Sequence, residues 1–98
     1  MDKQLIHEKT VHEQQSLRLT LSARDPVAGV STLLCSLTWT GERLDLQGNK
    51  EMCAVIQQDF PDWKEVRTKE TAEQLLARVM MAFRTQQMLE VRLDERVP

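Results

Sequence analysis

Leu17, Leu19 and Leu21 alternate with Arg18, Thr20 and Ser22, and this period of two predicts a strand over residues 16–22 with one apolar and one wet face. The alternation resumes over residues 30–40, with Leu33, Cys35, Leu37 and Trp39 on one side and Thr32, Leu34, Ser36 and Thr38 on the other. This is the longest strand the pattern predicts. Between the two, Arg24, Asp25, Pro26, Val27, Ala28 and Gly29 read as a turn, since Pro26 presets φ and Gly29 tolerates positive φ. A short helix capped by Asp25 with Pro26 at its first position is the competing reading; the β-forming residues that follow favour the turn. Thr40, Gly41, Glu42 and Arg43 then lead into Leu44, Asp45 and Leu46, so residues 33–46 read as a β-hairpin.

The period changes after Gln47 and Gly48. Asn49 is a competent N-cap for a helix whose buried stripe would be Met52, Val55, Ile56 and Phe60, stopped by Pro61. A connector over residues 61–67 leads to the strongest signal in the chain. Ala72, Leu75, Leu76, Val79, Met80 and Phe83 fall at i, i+3, i+4, i+7, i+8 and i+11, the spacing of an amphipathic helix laid on a core. It begins near Thr68 or Thr71, and Thr71 with Gln74 offers a capping box. Leu89, Val91 and Leu93 alternate with Glu90, Arg92 and Asp94, a last strand that rejoins the sheet.

Assembled, the order is β-β-β-α-α-β. The expected fold is a small two-layer α+β sandwich, an antiparallel sheet of three to four strands with both helices packed on one face. Residues 1–98 form a single domain, with an amino-terminal arm of unassigned structure over 1–14 and a frayed tail over 95–98. One core is what 98 residues can enclose. The opposite sheet face would carry Arg18, Thr20, Ser22, Thr32, Ser36, Thr38, Arg43 and Arg92, a polar surface an antiparallel sheet can leave open to water.

Charge and cysteine usage narrow the picture further. Thirteen basic and fifteen acidic residues leave a formal charge of -2 with the signs interspersed, so long-range attraction to a polyanion is not built in. Cys35 and Cys53 have neither zinc-site spacing nor the density of a disulfide scaffold and read as buried free thiols. No stretch approaches the roughly 20 apolar residues of a membrane span, and the first residues have no signal-peptide pattern. A cytoplasmic setting is the expectation, with no membrane and no cofactor.

Candidate chemistry is sparse. His7-Glu8 and His12-Glu13 resemble half of a zinc-protease helix, but the histidines lie five apart and diverge by about 140° on a helix, so no metal site is expected. Gly29, Gly41 and Gly48 each sit alone, which excludes a phosphate-cradling loop. Asp59, Asp62 and Glu65 near the connector read as capping and solvated carboxylates. No nucleophile has a base within reach, and no enzymatic activity is expected.

Two binding surfaces remain. Arg18, Arg43 and Arg92 on the open sheet face could contact the phosphates of a single strand, yet Trp39, Phe60, Trp63 and Phe83 fall mostly at core positions and leave little on which to stack bases. Nucleic-acid binding is therefore the alternative reading. The first reading is a non-enzymatic accessory protein, an adaptor, inhibitor or regulatory subunit, that binds another protein or itself. Its contact residues would be Met81, Arg84 and Met88, which point away from the buried stripe of the long helix, together with Trp63 in the connector. Lone surface methionines and a core-plugging tryptophan are the plain alternatives.

Overall fold

The computed structural model describes residues 16–86 and 89–95. Four strands, β1 (Leu17–Arg24), β2 (Ser31–Trp39), β3 (Leu44–Gly48) and β4 (Leu89–Glu95), form one sheet in the order β3-β2-β1-β4. Every pairing is antiparallel. Helices α1 (Lys50–Asp59) and α2 (Lys69–Phe83) lie between β3 and β4 in the chain, joined through a 3-10 turn over Pro61–Glu65. This is the predicted β-β-β-α-α-β sandwich.

Leu17, Leu19 and Leu21 of β1 meet Trp39, Leu37 and Cys35 of β2 in register, and all six are buried together with Leu44, Ile56, Ala72, Leu75, Leu76, Val79 and Phe83. The leucine alternation and the 3.6-residue stripe thus meet in one layer, where each fully buried aliphatic side chain stabilises by about 1.5–3 kcal/mol. The turn predicted over residues 24–29 forms. Asp25 Oδ1 accepts from the Val27 and Ala28 amides at 2.9 and 3.2 Å, and the Gly29 amide donates back to the Asp25 carbonyl at 2.7 Å with a φ of 71°.

Each helix is capped by its own side chains. Asn49 Oδ1 accepts from the Glu51 and Met52 amides at 2.8 and 3.2 Å, satisfying two of the orphan donors at the start of α1. At α2 the box forms three residues earlier than the expected Thr71 with Gln74: Thr68 is the N-cap, and Thr68 and Thr71 each accept from the other's backbone amide. Among the described residues no helix is long and apolar enough to cross a membrane.

Two core assignments are corrected. Leu33, expected beside Cys35 and Leu37, is 57% exposed. The β1-β2 register shifts between Leu21 and Ser22, so that Leu21 faces Cys35 while Ser22 faces Leu33. Leu34 is the extra residue of this bulge, and because antiparallel partners share a face, Leu33 stands with Ser22 on the uncovered side. Val55 is 41% exposed, because α1 turns Cys53 toward the sheet instead. Cys53 Sγ lies 3.6 Å from Cys35 Sγ, and the inward stripe becomes Met52, Cys53, Ile56 and Phe60.

Candidate functional site

Pro61 ends α1 and starts the 3-10 turn that presents Trp63. The turn is held from three sides: Val66 is buried behind it, Arg78 of α2 pairs with Asp62, and the same guanidinium sits 5.8 Å above the centre of the Phe60 ring. Arg67 Nη1 donates to the Val66 carbonyl at 3.0 Å, which braces the segment leaving the turn. The ion pair is exposed and contributes little alone; stacking and burial of Val66 fix the position.

Trp63 is half-buried, packing against the core on one side and lining an open cleft of about 650 Å³ on the other. Its indole N–H is buried without an acceptor among the described residues. The cleft lies at the β3 end of the sheet, where Leu44, Glu42, Arg43, Asp45, Lys64 and Arg67 line it together with Trp63. Arg43 is matched by Asp45 at 3.1 Å. Among the described residues neither Lys64 nor Arg67 has a carboxylate within ion-pair distance. The cleft thus combines apolar surface from Trp63 and Leu44 with three cations and two carboxylates, and Lys64, Arg67 and Glu42 in it form no ion pair among the described residues.

The structure joins two residues that the sequence assigned to different surfaces, since Trp63 and Arg43 share this cleft. Met81, 63% exposed, and the exposed Arg84 just past the end of α2 do not line it. Met88 lies outside the described residues, as do His7 and His12.

On the open sheet face Arg18 stands between Thr38 and Asp94 in register, half-buried, with its Nε lacking a partner among the described residues. Arg92 is 3.6 Å from Asp94. With Arg43 held by Asp45, two of the three arginines expected to contact phosphates already face carboxylates. Sequence reading missed the apolar end of this sheet, where Val27, Val30 and Leu33 are exposed in and beside the β1-β2 hairpin. A signal for it exists: two successive leucines, 33 and 34, cannot both obey a period of two.

Burial, with the neighbouring Cys53 thiol, pushes Cys35 up to about 12, so its thiol is protonated at neutral pH and lacks the thiolate that attacks or ligates. Among the described residues no three His, Cys, Asp or Glu side chains gather as metal ligands would. Asp62 is engaged by Arg78, and it lines a shallow recess with Glu65, Gln74 and Thr71. Comparison with protein-family models, with curated proteins and with solved structures returns no match.

Proposed function

We propose that this chain is a non-enzymatic accessory protein that binds another protein, and that the Trp63 cleft receives an acidic segment of its partner. The observation that carries the reading is that Trp63 and Leu44 share one cleft with Lys64 and Arg67, two cations in no ion pair among the described residues, so that with Arg43 the cleft's cations outnumber its two carboxylates, Glu42 and Asp45. Tryptophan and arginine are the residues around which binding energy concentrates. A segment with an apolar side chain beside a carboxylate would cover the indole and neutralise one or both cations, and the polar rim would set its direction. Because the turn carrying Trp63 is braced by Arg78 and Val66, little ordering is required when a partner arrives.

A display library of random peptides tests this. Wild-type protein should enrich sequences with Asp or Glu beside an aromatic or aliphatic residue, with capture falling as salt rises. Arg67→Glu and Trp63→Ala should abolish enrichment while the far-UV spectrum is unchanged. Enrichment that ignores the charge reversal, or none at all, refutes the reading.

A further inference from the structure

The sheet carries a second unfinished surface, at its β4 edge. Leu89, Val91 and Leu93 stand opposite Ala23, Leu21 and Leu19, so they point to the covered face of the sheet. On that face Leu19 and Leu21 are completely buried. On β4, one strand further out, Leu89 and Val91 are only half-buried and Leu93 is 45% exposed. The helices cover the middle of the sheet; on its last strand Leu89 and Val91 still pack against the core, and the apolar side is left partly open, most of all at Leu93. That strand is seven residues long, with no neighbour beyond it among the described residues. Its outer row of amide and carbonyl groups is a template for one more strand.

We propose that the strand added there is β4 of a second copy of this chain, paired antiparallel about a two-fold axis through Val91. Edge pairing of identical strands requires an axis perpendicular to the sheet, which keeps both pairs of helices on the same side and sets each residue against one of the same face. About Val91, Leu89 faces Leu93 of the second copy and Glu90 faces Arg92, each twice. The partly exposed apolar residues of β4 then cover one another, and on the polar face two opposite-charge pairs join the contacts these residues already make within one copy, Ser31 Oγ donating to Glu90 at 2.7 Å and Arg92 lying 3.6 Å from Asp94. Neighbouring registers fail this match. Centred on Glu90, the strand sets that carboxylate against itself; centred on Arg92, it sets that arginine against itself and Glu90 against Asp94; centred on Leu93, it sets the Glu95 carboxylate against Val91. Charge and apolar pattern together select one register, and the product is a continuous eight-stranded sheet. The edge does not include the Trp63 cleft, so the two proposals stand or fall separately.

Sedimentation equilibrium of the full chain over a wide concentration series should show a species of twice the 11.4 kDa chain mass. Glu90→Arg or Arg92→Glu alone sets like charges opposite each other at two symmetric positions and should weaken the dimer at least about tenfold. The double variant Glu90→Arg with Arg92→Glu exchanges the partners and should restore it to within about threefold. Leu93→Lys, at an already exposed position, should leave the melting temperature of dilute protein unchanged and abolish the dimer. A monomer at every concentration overturns the proposal, as does a dimer indifferent to the single reversals or one the double variant fails to rescue. Lys64→Glu, which should disable the cleft, should leave the association unchanged.

Discussion

Gly48→Ala is expected to be among the most damaging small substitutions in this protein. Gly48 ends β3 at a φ of 132°, and a Cβ added there would lie 2.4 Å from the Leu34 carbonyl oxygen and 2.8 Å from the Cys35 Cα. Both contacts are backbone, so no side chain can swing aside. The dihedral alone costs an L-residue about 1–3 kcal/mol, and relieving the overlap by parting β2 from β3 adds about 1–3 kcal/mol. The sum, about 4 kcal/mol, is a large share of the roughly 5–15 kcal/mol that holds a domain folded. It corresponds to a fall in Tm of roughly 15–30 °C. Gly29→Ala is the control, because Gly29 also has positive φ, 71°, but no atom within 4 Å of the place its new methyl group would take; its expected cost is about 1–2 kcal/mol. Urea denaturation followed by tryptophan fluorescence measures both, Trp39 being buried at the end of β2. The Asn49 amide donates to the same Leu34 carbonyl at 2.7 Å, so its hydrogen exchange should accelerate in Gly48→Ala. If Gly48→Ala is no more destabilising than Gly29→Ala, the steric argument is refuted.

Other perturbations have equally definite outcomes. Cys35 is raised from its ordinary 9.0 to about 12, so the folded state holds a proton that the unfolded state releases between those values; its stabilising contribution is complete below pH 9 and lost as pH rises toward 12. The stability-versus-pH slope in that window should be shallower in Cys35→Ala, and an equal slope refutes the assignment. At pH 8 a thiol reagent should label half-buried Cys53 well before Cys35, which labelling kinetics with mass spectrometry can resolve. Asn49→Ala removes the acceptor of two amide hydrogen bonds and should destabilise by about 1 kcal/mol in a thermal melt. Met81→Asp should change stability by less than about 0.5 kcal/mol, as suits an exposed helix position, and leave peptide capture by the cleft unchanged; loss of capture would move the contact surface to α2.

The legible part of this chain is what local chemistry decides. The leucine alternation of β1, the six-residue stripe of α2, the Asn49 cap and the Asp25-Pro26 turn each depend on residues a few positions apart, and each is found where the pattern places it. Leu33 departs from its pattern because its facing depends on a bulge set by pairing with β1, and a one-residue slip moves a side chain to the other face. Val55 departs because α1 is oriented by what the sheet offers it, here the Cys35 thiol, and not by its own stripe alone. Trp63 is out of phase with both helices in the sequence, which marks it as unusual, while its association with Arg43 and Leu44 in one cleft joins residues about twenty positions apart.

What the sequence by itself determined is the identity and order of the elements and most of the single core, because periodicity, capping and turn formation act over less than a dozen residues. Only the tertiary structure decided which strand became the edge, which leucines turned outward, and which cations were left without a carboxylate. Those outcomes depend on strand register and helix placement, long-range pairings in which every element's environment is supplied by another.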